Sequence, residues 1–223
     1  MIVVVGQPLF RATDQGGLAE GLGARVALAA ARAGRSVQLV GRTGDDPEGD
    51  AVLLDLARGG VGHVAVLRVA GLATPCLTES IDADLSGPAG DADRAATALD
   101  TAVPVDAGPT LDAADVDLAL RYLTDFSVLV LAVRGDEAIA RVVAAAAGWA
   151  DARLIVVLAA SAAIPDNLPA DAIVFEAPDA DPDGVFADMV GAFAAALDNG
   201  DDPAVAFRST VEAEGWTPSL DAP

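Results

Sequence analysis

Two glycines, Gly21 and Gly23, precede an Ala-rich stretch that carries through Val26 and Ala27 to Gly34. Glycine at such a turn lets backbone approach a ligand closely, and the N–H groups at a helix start favour an anion or a hydroxyl. The same pair would serve a tight strand-to-helix turn with no ligand. A second pattern, Asp179-Ala180-Asp181-Pro182-Asp183-Gly184, matches the first half of a calcium loop. Its twelfth position is Val190 rather than a bidentate Glu, so we read it as an acidic loop capping the helix that follows. Asp45, Asp46, Glu48 and Asp50 read likewise as a cap and first helical turn, so no metal site is expected. The lone Cys76 excludes a disulfide framework, and the lone His63 excludes multi-histidine zinc chemistry. No Walker A sequence occurs, and Gly21–Val26 lacks the third glycine of a dinucleotide fingerprint.

These groups must be held by an α/β frame. Unalternated Val/Ile/Leu runs at Ile2–Val5, Val37–Val40, Val64–Val69, Val128–Val133, Leu154–Leu158 and Ile173–Phe175 predict strands buried on both faces. Between them, helices are expected over Gly21–Ala33, after the Asp46-Pro47 start, and over Ala113–Leu123, Glu137–Ala147, Val185–Leu197 and Pro203–Ala213. Cys76–Ile81 reads as a strand of a small excursion, and Asp82–Thr110 as an ordered irregular loop. Alternation of this kind predicts one three-layer α/β/α sandwich over residues 1–223, with a mostly parallel sheet.

Composition narrows the partners. Thirteen Lys and Arg against 34 Asp and Glu give a net charge of −21, which repels nucleic acid and anionic membranes. Met1 leads straight into Ile2–Val5 with no basic n-region, and Leu154–Ile164 falls well short of the roughly 20 residues that cross a bilayer. A cytoplasmic address is expected, and both monomer and homodimer stay open.

Several segments fall into one register. Gly41-Arg42-Thr43-Gly44-Asp45-Asp46-Pro47-Glu48-Gly49, the closing Gly60-Val61, Thr74-Pro75, and Gly191-Ala192-Phe193-Ala194-Ala195-Ala196-Leu197 with Asn199-Gly200 are similar to motifs of the ribokinase-like (phosphofructokinase B-type) carbohydrate kinases. That resemblance covers most of the chain and implies an ATP-dependent sugar kinase ancestry. It also exposes departures. The family's sugar-gripping Asn and Asp fall near Leu9 and Arg11, its helix Asn at Arg25, and the first glycine of its pair at Glu20. Arg11 and Arg25, with Gly21 and Gly23, would suit a planar anion such as phosphate or carboxylate. Equally, both arginines could do no more than pair with nearby acids such as Glu20. The segment between Gly6 and Gly21 is shorter than the family's lid strands, so no lid is expected.

The family's catalytic "GAGD" turn aligns with Gly184-Val185-Phe186-Ala187, which puts Ala187 at the base position and Asp188 one residue late. One helical residue turns a side chain by about 100°, which makes Asp188 a weak candidate base. The strands that build the nucleotide site are expected to be missing between Asp171 and Gly184. The resemblance therefore implies a catalytically silent relative binding a sugar or sugar-phosphate. The alternatives are an active kinase using Asp188, with ATP and Mg²⁺ as cofactors, or a ligand-free scaffold.

Overall fold

The computed structural model describes residues 1–14, 16–77, 108–133, 135–160 and 162–213. Its centre is a six-stranded sheet in the order β5-β4-β1-β6-β7-β8. The strands are β1 (Ile2–Gly6), β4 (Val37–Gly44), β5 (Val61–Val69), β6 (Val128–Ala132), β7 (Arg153–Leu158) and β8 (Ile173–Glu176). All five pairings are parallel.

Every residue of β1 is buried, and its side chains alternate between two cores. Ile2 and Val4 pack under α1 (Leu22–Arg32), α2 (Pro47–Arg58), α5 (Val185–Asp198) and α6 (Pro203–Ala213). Val3 and Val5 face α3 (Ala113–Tyr122) and α4 (Glu137–Ala150). A strand apolar at every position is what a sheet covered on both faces requires. The expected three layers are present. Strand order reverses between β1 and β6: from β1 the chain moves by α1 to β4 on one side, while from β6 it moves by α4 to β7 on the other. In open α/β sheets, ligands bind beyond the carboxyl ends of the strands at this reversal.

Caps fix the helix starts. Asp46 accepts from the Gly49 N–H at 2.8 Å with Pro47 at the first position of α2, and Asp112 accepts from Ala114 and Asp115 at 2.9 Å each. Asp46 also holds the Thr74 N–H at 2.6 Å, tying the chain after β5 to α2. Asp45 and Asp50, from the same acidic cluster, pair with Arg68.

Three expectations need correction. The segment between Gly6 and Gly21, expected to hold no lid strands, folds into an antiparallel hairpin of β2 (Leu9–Thr13) and β3 (Gly16–Glu20). Its weak alternation hid it. Gly17 lacks the Cβ that would lie 2.0 Å from the Phe10 ring, so Phe10 crosses the pair, and the Ala19 N–H donates to Asp55 of α2 at 2.9 Å. Tertiary docking of this kind stabilises a hairpin that is marginal alone. β5 starts at Val61, not Val64, and so includes His63. β4 continues through Gly41 to Gly44, because those glycines pass beside other backbone: a Cβ on Gly41 would lie 2.6 Å from the Gly6 carbonyl oxygen. Of the strand expected from Cys76, the described part is a single bridge to Phe10. Residues 78–81 of that strand and 82–107 of the expected loop lie outside the described residues.

Candidate functional site

The two glycines sit where β3 hands the chain to α1. Gly21 has φ 87°, a conformation that favours glycine, and a Cβ there would meet the Gln7 carbonyl oxygen at 2.7 Å. A Cβ on Gly23 would lie 2.7 Å from the Gly6 Cα. Both absences of a side chain are thus required by the chain's own backbone.

Arg11 and Arg25 converge on one carboxylate. The Arg11 Nε donates to Glu20 Oε1 at 2.9 Å, and its Nη2 lies 2.7 Å from the same oxygen. The Arg25 Nε stands 3.6 Å from Glu20 Oε2. Glu20 is only 7% exposed, whereas the arginine side chains are 35% and 25% exposed. Hairpin pairing places this cluster: Leu9 faces Glu20 and Arg11 faces Leu18 across β2–β3. Of the two readings left open by the sequence, pairing with Glu20 is the one realised in this state.

Arg25 then reaches the start of α5. Its Nη1 donates to the Asp181 carbonyl at 2.6 Å and its Nη2 to the Pro182 carbonyl at 3.3 Å. Gly184, at φ 75°, lies against the guanidinium, and a Cβ there would be 2.1 Å from Nη2. The Asp181 carboxylate turns inward and accepts from the Phe186 and Ala187 N–H groups at 3.1 Å each. The first turn of α5, where an anion would find free donors, is therefore filled by the chain's own carboxylate. The acidic loop is a helix cap, as its sequence predicts, and Asp181 is the residue that performs it. No signal in the sequence singles out Asp181 from Asp179 and Asp183.

Ala187 is fully buried, so the position aligned with the family's base carries no titratable group. Asp188 points elsewhere and pairs with Arg32 at 2.6 Å, two turns along α1 from Arg25. The structure thus gathers Gly21, Gly23, Arg11 and Arg25 at the carboxyl edge of the sheet and leaves Asp188 outside the group. Between β8 and α5 the chain has no strand, only the acidic loop. An ATP phosphate does not fit the α5 N-terminus while Asp181 occupies its donors. Among the described residues no group of three acids, histidines or cysteines could hold a metal ion, and no helix is long and apolar enough to cross a membrane.

No protein-family model matches the chain, and no curated protein does. Solved structures do. The ribokinase of Arabidopsis thaliana, complexed with ribose and ATP, superposes with a TM-score of 0.61 at 15% identity, over 99% of this chain and 93% of that one. A protein from E. coli provisionally named ribokinase II, in its apo form, gives 0.60 at 13%, over 94% and 90%. The protein Sa239 gives 0.62 at 12%, over 100% and 95%. The chain has the ribokinase-like fold, the architecture of a class of carbohydrate kinases. Identities this low establish the fold and leave activity to the site.

Proposed function

We propose that this chain is a catalytically silent relative of the ribokinase-like sugar kinases that binds a small sugar or sugar-phosphate at the edge formed by Gly21, Gly23, Arg25 and Arg11. The observation that carries the silent part is the Asp181 carboxylate on the Phe186 and Ala187 N–H groups, next to a buried Ala187. Phosphoryl transfer depends on positioning and on neutralising phosphate charge, and a carboxylate in the anion position opposes both. Binding draws support from the place of the cluster beyond the strand ends, from the partly exposed arginine side chains, and from the ribose and ATP held by the Arabidopsis neighbour.

A thermal-shift screen of free sugars, sugar phosphates and ATP–Mg²⁺ tests this reading. A ligand at 100 times its Kd adds about 2.7 kcal/mol, which raises the midpoint visibly. A rise with a sugar or its phosphate but not with ATP supports the proposal. A rise with ATP–Mg²⁺, followed by phosphorylation at ordinary kinase rates, overturns it. The active-kinase alternative requires Asp188, so Asp188→Ala would abolish any turnover seen; its pairing with Arg32 stands against that role. A ligand-free scaffold is favoured by one observation, that both arginines already have partners in Glu20 and Asp181, and it predicts no shift with any compound.

A further inference from the structure

The edge proposed for the ligand holds a carboxylate that is only half used. The Glu20 side chain is 9% exposed, and its Oε1 holds both the Nε and the Nη2 of Arg11, at 2.9 and 2.7 Å. Its Oε2 accepts no hydrogen bond among the described residues, because the Arg25 Nε stands 3.6 Å away. That nitrogen is equally unused, since Arg25 spends its Nη1 and Nη2 on the carbonyls of Asp181 and Pro182. Neither atom is among the polar groups shut off from solvent without a partner, so both can be reached from outside. An open acceptor and an open donor thus stand side by side, at a spacing that one bridging oxygen spans.

We infer that Glu20 is the specificity-determining residue of this edge, and that it selects a neutral vicinal diol of an unphosphorylated sugar. The inference rests on the ligand-binding reading above and narrows it to the free sugar. A hydroxyl both donates and accepts, so one hydroxyl of the pair donates to Oε2 while the oxygen of its neighbour accepts from the Arg25 Nε. Both bonds involve an ionised partner, which makes them the stronger kind. Charge decides against a phosphate here. The two guanidiniums adjoin three carboxylates: Glu20 itself, Asp181 at the start of α5, and Asp55, which accepts from the Ala19 N–H. Asp179 and Asp183 of the same acidic loop add to the negative side. No surplus positive charge is left for an anion, in a chain whose net charge is already −21.

Calorimetric titration of the full chain with ribose, fructose, glucose, their monophosphates and inorganic phosphate tests the inference. The wild type is expected to bind at least one free sugar, to bind its phosphate no more tightly, and to ignore inorganic phosphate. In Glu20→Gln, Arg11 keeps the amide oxygen and the NH₂ turns to where Oε2 stood, so the diol loses its acceptor. That variant should hold the free sugar at least roughly 10-fold more weakly, the loss of one charged hydrogen bond, and should begin to bind inorganic phosphate. Should it not fold by far-UV circular dichroism, the mono-deoxy derivatives of the bound sugar give an independent reading on the wild type. At least one of them must then bind roughly 10-fold more weakly. A phosphate ester held 10-fold more tightly than its free sugar overturns the inference, as do a folded Glu20→Gln with undiminished sugar affinity and deoxy sugars that all bind equally well. Those three outcomes leave ligand binding at this edge standing. A wild type that binds none of the compounds overturns both.

Discussion

Arg25 of α1 donates to the carbonyl of Asp181 at 2.6 Å, across 156 residues of chain, while the carboxylate of that same Asp181 closes the first turn of α5. One residue thus anchors two helices at the edge where a ligand would sit. Its backbone holds a cation and its side chain stands in for an anion.

Asp181→Ala should remove the cap and leave the Phe186 and Ala187 N–H groups without a partner. Loss of a helix cap costs about 1 kcal/mol, which urea unfolding would read as a lower midpoint at unchanged slope. The vacated donors should make the variant, unlike the wild type, gain thermal stability from added sulfate. Equal sulfate responses in both proteins would show that the Asp181 carboxylate does not block anions.

Glu20→Gln tests the arginine pair. Glu20 is buried between Arg11 and Arg25, so the neutral amide leaves two guanidiniums facing each other. The expected cost is about 1–3 kcal/mol, because a buried group loses charged partners. Phosphate or a sugar phosphate should recover part of it by replacing the lost carboxylate, and the variant should bind such anions more tightly than the wild type. An unchanged midpoint with no phosphate response would show that the cluster is neither structural nor anion-binding.

Acid sensitivity should come chiefly from Asp198 and Asp46, since Asp112, also lowered by its cap bonds and Arg42, is fully exposed. Burial by itself raises the Asp198 carboxyl, but bonds from the terminal ammonium, Ser127 and Arg35 outweigh it and hold it below the usual range. For Asp46, burial likewise raises the carboxyl, and bonds from Thr74 and Gly49 with the nearby Arg68 overcome it. A carboxyl whose pKa is lower folded than unfolded contributes stability that is complete above the unfolded value, about pH 4, and is lost as pH falls through the folded value. Thermal midpoints should therefore hold steady from neutrality to about pH 5 and drop below pH 4. Asp198→Asn and Asp46→Asn should start lower and fall less over the acid range. A drop of equal depth in all three proteins would place the sensitivity in other carboxylates.

The frame was legible because its signals are local. Ile2–Val5, Val128–Leu131 and Leu154–Leu158 are unbroken apolar runs, and Asp46-Pro47 and Asp112 mark helix starts within two or three residues of the groups they cap. The hairpin escaped because its strands alternate weakly and the bond that docks it, from the Ala19 N–H to Asp55, reaches 36 residues along the chain. The candidate site was half legible. Resemblance pointed to Gly21, Gly23, Arg11 and Arg25, and the structure does bring them together. Which acid each arginine meets depends on contacts as distant as Arg25 with Asp181, and no spacing rule reports those.

Glycines of α4 and α5 should answer the same substitution with opposite signs. Alanine in place of glycine inside a helix gains up to about 1 kcal/mol when nothing obstructs the new methyl. A Cβ on Gly148 of α4 meets nothing within 4 Å, so Gly148→Ala should raise the thermal midpoint. A Cβ on Gly191 of α5 would lie 2.4 Å from the Ala29 Cβ and 2.7 Å from the Val26 carbonyl oxygen, where α5 rests on α1. Forcing a methyl into a filled contact costs about 1–3 kcal/mol, more than the helical gain returns. Gly191→Ala should therefore lower the midpoint, and since α1 and α5 both open at the edge proposed for the ligand, it should also weaken any sugar-phosphate shift. Calorimetry of the two variants side by side checks this. A midpoint raised in both would mean that α1 and α5 can part without loss.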